Sequence, residues 1–487
     1  MSTGWSFDLS QFDQVWKAML QVAILLIFLL IGNTLRRVIP FLRKAFIPSA
    51  LIGGLLLFII NISYEGIVGL VQGDNAKAFL QTYSLVDRRI MQIITYHGLA
   101  IGFIASSLKI VAKEKKAPIF ESVQNGAITG GTYMLQAVFG IAVSLIFFWA
   151  TRNFFYDAGV LLPLGFGQGP GNALTWDINF TEMTKDWASN KFDGQGSVGL
   201  TIASIGFLVA SIVGVIYMNI YRHKGEIVHK DIKLQRSVSD FELNDEIEDS
   251  ESVDKMSIQV AFVGVAFALS FLVMFFFAKL TDWTGVALFN SVAWGFNFIW
   301  GVLAANLIKL VVKFLRKKNL MHRRYINNYQ MDRISGFAFD LMIVAGVAAI
   351  DVEAVGPYLP FILVLSAVGT IITIIYVRMM TKMCFKNYQH EAFLVNFGTL
   401  TGTASNGMIF LREIDPNNET PMSNIFIISQ LPAMIFVAPL LLLLNMSATS
   451  EVKCYIVFAI FFVLFALYTT FLILSSKGLI FKKKQTE

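Results

Sequence analysis

Eleven runs of mostly apolar residues follow one another along the chain, at 15–35, 45–62, 90–108, 119–150, 198–221, 258–280, 286–314, 334–354, 358–379, 425–445 and 454–475. Roughly 20 apolar residues suffice for a helix to cross the hydrocarbon of a bilayer. The run at 119–150 is overlong for that purpose and is expected to be tilted or partly interfacial. The chain of 487 residues is 55% hydrophobic and 15% charged and holds 44 Phe, more apolar surface than a soluble protein of this length can hide. The class expected is an all-α polytopic membrane protein, which excludes a soluble enzyme and a nucleic-acid binder. Cys384 and Cys454 have no metal-ligand spacing and give no sign of a disulfide framework. The N-terminus lacks the basic region of a cleavable signal, so the first run is expected to stay as a helix.

Basic residues set the orientation. Arg36, Arg37, Arg43 and Lys44 follow the first run, Lys109, Lys113, Lys115 and Lys116 the third, Arg316, Lys317, Lys318, Arg323 and Arg324 the seventh, and Arg378, Lys382 and Lys386 the ninth. All fall on one face if odd-numbered spans run inward, which predicts an external N-terminus and a cytoplasmic C-terminus. The tail Lys482-Lys483-Lys484 lands on the same side, and the membrane expected is the plasma (inner) membrane. The longest polar segment begins basic (Arg222, Lys224, Lys230, Lys233) and ends acidic (Asp245, Glu246, Glu248, Asp249, Glu251). It reads as a cytoplasmic linker or as a regulatory or partner-binding segment.

One stretch is neither an ordinary span nor an ordinary surface loop. Residues 164–176 read Leu-Gly-Phe-Gly-Gln-Gly-Pro-Gly-Asn-Ala-Leu-Thr-Trp, and the pattern returns once. Phe166-Gly167, Gly171 and Ala173 recur at the same spacing as Phe397-Gly398, Gly402 and Ala404. Around this pair the order of apolar runs repeats, as in internally duplicated carriers. The organisation expected is an N-terminal repeat over 1–221 with a hairpin at 158–176, a linker over 222–257, a C-terminal repeat over 258–445 with a hairpin at 393–411, and an extra helix with a basic tail over 446–487. Each repeat would hold five spans and one re-entrant hairpin. Because the first half starts outside and the second inside, the repeats are inverted and the hairpin tips should approach each other near the midplane.

These residues resemble the bacterial glutamate:sodium symporter family and, more distantly, the hydroxy-carboxylate carriers. The resemblance runs from about Arg36 to Asn445 and rests on the two hairpins, on Ile47-Pro48-Ser49-Ala50-Leu51-Ile52-Gly53-Gly54, and on Arg378-Met379-Met380 with Lys386-Asn387-Tyr388. Where better-known members carry Gly-Gly-His-Gly-Thr-Gly, this chain has Gly167-Gln168-Gly169-Pro170-Gly171-Asn172. Its second hairpin, Thr399 to Asn406, is richer in hydroxyls. The resemblance implies a homodimer with a scaffold and a mobile transport domain, and sodium-coupled uptake of an acidic amino acid.

A helix broken at membrane depth offers N–H groups at one half-helix start and carbonyls at another half-helix end, the first suited to a carboxylate and the second to a sodium ion. Glycine permits the close approach and the positive φ of such turns. The candidate substrate residues are Gly167, Gln168, Gly169, Gly171, Asn172, Gly402, Thr403, Ser405 and Asn406, and the candidate sodium ligands are Thr399, Thr401 and Asp340. Neutral oxygens suit an ion that is released in every cycle. The alternative is that the glycines are packing positions and the hydroxyls bond their own helices. Asp340 can ligate a cation, take up a proton, or pair with Arg333. His97 reads as a packing residue or a proton relay, and Arg378 as a positive-inside anchor or an attractor of carboxylate. Asp351 and Glu353 are expected at the outer end of the eighth span, facing water.

Neither a phosphate-binding loop, nor a paired-histidine zinc motif, nor a nucleophile elbow occurs. A non-enzymatic, gradient-driven carrier of a small carboxylate, sodium-coupled and set among membrane lipid, is the leading expectation. A cation:proton exchanger built on Asp340, a sodium-coupled carrier of citrate or malate, and a channel are the alternatives.

Overall fold

The computed structural model describes residues 9–109, 119–227, 254–285, 293–321, 325–415 and 419–479. Most of the central polar segment, the basic tail, residues 286–292 of the seventh run, and Lys113, Lys115, Lys116, Arg323 and Arg324 lie outside them. The helices of the first half are α1 (Leu9–Val38), α2 (Pro40–Lys44), α3 (Ser49–Gln72), α4 (Ala76–Tyr83), α5 (Arg88–Leu108), α6 (Ile119–Thr151), α7 (Leu161–Gln168), α8 (Pro170–Thr184) and α9 (Ser197–His223). The second half has α10 (Lys255–Thr284), α11 (Asn297–Lys317), α12 (Asn328–Ala348), α13 (Val352–Val355), α14 (Leu359–Cys384), α15 (Gln389–Thr401), α16 (Ala404–Ile414), α17 (Met422–Ala448) and α18 (Glu451–Ser476).

Ten helices among the described residues are long and apolar enough to cross a membrane. The class is therefore an all-α, multi-pass membrane protein with ten candidate spans. Of the eleven runs read from the sequence, the one not among these ten is the eighth. Its helix, α12, forms with 21 residues but carries Asp332, Arg333 and Asp340, which dilute its apolar character. It starts six residues before the expected 334, where the Asn327 side chain accepts the Gln330 N–H. It ends at Ala348, short of 354, because Asp351 caps the separate turn α13 through the Glu353 N–H.

Both short hairpins are longer than expected: the first runs over 161–184 and the second over 389–414, against 158–176 and 393–411. Their breaks also differ from the motif alignment. Gly171, which aligns with Gly402 in sequence, lies inside α8; the first hairpin breaks at Gly169. Aligned by backbone, Gly169 corresponds to Thr403, each standing just before its second helix.

Helix α6 is the most enclosed span and is flanked by α14, α17 and α18, while α5 lies along α12 and α3 along α1. Helix α9 connects the two hairpins from end to end. At its start Asp177 of α8 accepts the Gly196 and Gly199 N–H groups, both at 2.7 Å. At its end Tyr217 bonds His390 of α15, and Arg222 pairs with Glu413 of α16. Helix α14 repeats the pattern, with Tyr358 just before it accepting the Asp193 N–H and Arg378 near its other end donating to Gln389. The bases of the hairpins thus sit at opposite ends of the bundle. Trp176, Phe155, Phe180 and Phe192 pack the base of the first without solvent contact, and Phe393 and Phe397 stack in the second.

Candidate functional site

The hairpins meet tip to tip. A Cβ at Gly169 would stand 3.7 Å from Thr403 Cγ2 and 4.0 Å from the Gly402 carbonyl oxygen. Gly169 has φ +79°, a conformation glycine adopts freely, and Pro170 follows as the first residue of α8, where its missing N–H is no loss. The second break needs no positive φ: Gly402 has φ −139° and Thr403 φ −141°. Its glycine instead leaves room for the Asn406 amide, which the ideal Cβ would strike.

Neither α8 nor α16 carries a side-chain N-cap. The first backbone bonds of these helices run from Ala173 to Gly169 and from Gly407 to Thr403, so the amides before them have no intrahelical acceptor. Two helix N-termini with their partial positive charge are brought together at one point.

Asn172 and Asn406 occupy the same position, the third residue of α8 and of α16, and are 1% and 4% exposed. Asn172 donates to Gln168 Oε1 at 2.6 Å, while its own Oδ1 has no partner among the described residues; the same holds for Asn406 Nδ2. A buried amide atom without a partner costs about 1–3 kcal/mol. Two of them at one junction are chemically equipped to receive a polar ligand. The side chain of Ser405 lies outside the described residues.

The opposite limbs contribute helix C-termini. Gln136 of α6 donates to the Leu400 carbonyl at 3.1 Å and to Thr373 Oγ1 at 2.9 Å, and its Oε1 is buried without a partner. Gly206 of α9 lets the Thr401 carbonyl approach so closely that any Cβ would collide with it. Thr399 and Thr401 donate their hydroxyls to Val395 and Phe397 one turn back, both at 2.7 Å. Their oxygens keep lone pairs, but the hydroxyl bonds are those of ordinary membrane-helix threonines.

Gly167 and Gly171 stay at the tips and pack there, the former against the Tyr133 ring and the latter against Leu99. Other expected residues are placed away from the junction. Asp340 is on the wrong side of α12: Ala338, Met342 and Gly346 face α5 and Pro170, and a residue two positions from Ala338 and Met342 points to the other side of the helix. It faces Arg36 of α1, not Arg333, whose guanidinium donates to Tyr329. Arg378 is stacked over Tyr217 and Tyr221 at the base of the second hairpin. His97 packs edge-on against Tyr96 and Phe267. Asp351 pairs with Arg88 at 2.9 Å.

Sequence reasoning passed over Gln136 and the buried chain in which Asn396 donates to Asn125 (2.7 Å) and Asn125 to Ser429 (2.8 Å). The signal was available: carboxamides in the overlong run at 119–150 and in the second hairpin stand where hydrocarbon disfavours them. Side chains against the tips, Tyr133, Leu99, Gln136, Ala210 and Thr403, are neutral. Among the described residues no group of three His, Cys, Asp or Glu is placed to hold a metal ion. No protein-family model matches the chain, and no curated protein matches it.

Proposed function

We propose that the chain is a secondary active transporter that carries glutamate or a similar small carboxylate with sodium by alternating access, as the resemblance to the glutamate:sodium symporters implies. The observation that carries this reading is the junction at Gly169 and Thr403, where two uncapped helix starts converge with two buried asparagines, each of which has one side-chain amide atom without a partner among the described residues. Dipoles and amides can bind a carboxylate without a fixed positive side chain, so release does not require breaking a buried ion pair. The carbonyl ends near Leu400 and Thr401 suit the co-transported sodium. In this reading the hairpins are re-entrant, each belongs to one of two inverted five-span repeats, the N-terminus is external, and α18 is an addition.

A di- or tricarboxylate such as citrate or malate is a second reading, favoured by the presence of two helix starts, one for each of two anionic groups. The exchanger has less support, since Asp340 stands against Arg36 and away from the tips. Uptake of labelled glutamate, aspartate, citrate and malate into proteoliposomes, with and without an inward sodium gradient, tests the reading. Accumulation of one of them only under sodium is expected; no accumulation of any would defeat it.

A further inference from the structure

Three polar atoms of the first hairpin share one side of α8. Asn172, Trp176 and Asn179 stand at i, i+4 and i+7, the spacing of a single helical stripe. Asn172 Oδ1, Trp176 Nε1 and Asn179 Nδ2 are each buried without a partner among the described residues. The first belongs to the junction. The other two do not, since seven helical steps, about 10 Å along the axis, separate Asn179 from Asn172. They gather instead at Gly295, just before α11, where an ideal Cβ would stand 3.5 Å from Asn179 Nδ2 and 3.8 Å from Trp176 Cε2, the atom bonded to Nε1. Trp176 has no exposure and Asn179 is partly buried, so the stripe leads from the edge of the hairpin base inward to the junction.

The chemistry of this outer pair is one-sided. An indole nitrogen only donates a hydrogen bond, and the unpartnered Asn179 atom is a donor as well. Two converging donors repel a cation and suit an oxygen anion. The neighbouring acid, Asp177, is turned toward the α9 start, where it accepts the Gly196 and Gly199 N–H groups, so its charge does not face the pair. Tyr96 of α5 holds the segment that covers the donors: its hydroxyl donates to the Trp294 carbonyl at 2.7 Å, and its carbonyl accepts from Asn297 at 3.0 Å. We propose that Trp176 Nε1 and Asn179 Nδ2 form a second carboxylate subsite, which a small carboxylate occupies on its way between the hairpin base and the junction. The axial distance is too long for the two carboxylates of one glutamate to bridge, so the two sites are filled in turn. The subsite stands on its own donors, while the route onward to the junction rests on the transport reading.

The test follows the indole N–H resonances of the full-length protein by heteronuclear NMR in detergent, with the Trp176 signal assigned by its loss in Trp176→Phe. Sodium acetate and sodium glutamate should move that signal downfield, and sodium chloride at equal ionic strength should not. The double variant Asn172→Ala/Asn406→Ala should keep the acetate shift, because the junction is a separate site. Asn179→Asp, at a partly accessible position, puts a carboxylate of its own beside the indole and should raise the acetate concentration needed about tenfold. In proteoliposomes Trp176→Phe, which keeps the ring and loses the donor, should raise the apparent KM of the carboxylate that wild type accumulates about tenfold while kcat holds. A Trp176 signal that ignores both carboxylates, or follows chloride equally, would overturn the subsite. A carboxylate shift with wild-type KM in Trp176→Phe would overturn the route. A carboxylate shift in a wild type that accumulates nothing would defeat the transport reading and leave the subsite standing.

Discussion

At the base of the first hairpin the anchoring groups are out of water. Asp177, with no exposure, accepts two backbone N–H groups of the α9 start, and Asp157 accepts the Ser447 hydroxyl at 2.6 Å. The base of the second hairpin is tied to the other end of α9 by one buried bond, between Tyr217 and His390, and otherwise by ion pairs at the water edge, Arg222 to Glu413 and His390 to Glu226, with Glu226 45% and Glu413 30% exposed. Bonds in a dry site are expensive to break, because the polar groups left behind have no water to turn to, whereas pairs at the surface contribute about 0–1 kcal/mol and weaken with salt. Two hairpins with similar tips are therefore anchored unequally, and the second is the easier to release from its base.

That inequality can be broken in four ways. Asp177→Ala leaves two buried N–H groups without an acceptor and should destabilise the protein by about 4 kcal/mol, read as a large fall in Tm in detergent or loss of folded protein. Asp177→Asn should lie between, because its amide oxygen accepts one bond. A wild-type Tm for Asp177→Ala would remove the buried anchor from the account.

The tips should respond alike. Asn172→Ala, Asn406→Ala and Gln168→Ala should each raise the apparent substrate or sodium constant about tenfold, the loss of one hydrogen bond of about 1.4 kcal/mol, with protein yield unchanged. Wild-type transport in all three would place the site elsewhere, and an effect confined to Asn406→Ala would make the second hairpin the principal binder.

Burial pushes the Asp157 carboxyl from 3.8 up to about 8, with the Ser447 and Cys454 side chains pulling weakly the other way. The folded protein thus holds a proton that an unfolded chain gives up. This contribution is complete below about pH 4 and is lost as pH rises through about 8. Wild-type Tm should decline from pH 5 to pH 9 more steeply than that of Asp157→Asn. Equal slopes would show that Asp157 does not titrate in this way.

The smallest effect is expected at the second base. Arg222→Gln or Glu413→Gln should cost under about 1 kcal/mol, less in high salt, and the charge swap Arg222→Glu with Glu413→Arg should restore it. A loss as large as that of Asp177→Ala would make the two bases equivalent.

The sequence by itself determined the membrane class, the places of the long helices and the existence of two odd glycine-bearing stretches. Those follow from runs of apolar residues, a property of neighbouring positions along the chain. It did not determine which glycine carries the break. The motif equated Gly171 with Gly402, but Gly171 is needed for packing on Leu99 and the turn falls at Gly169, since contacts with α5 compete with the local pattern. Nor did it pair Asn172 with Asn406: that equivalence follows from the backbone after each break, three residues out of step with the motif. Asp340 shows the same limit, because hydropathy reports depth and not azimuth, and only the packing of α12 on α5 and α8 turned its carboxylate toward Arg36. Gln136 stood out in the sequence as a carboxamide in an apolar run, but its partner, the Leu400 carbonyl, is brought to it by α15 from a distant part of the chain. Apolar burial is summed along a segment, while hydrogen bonds between segments depend on rotations and offsets that tertiary contacts alone decide.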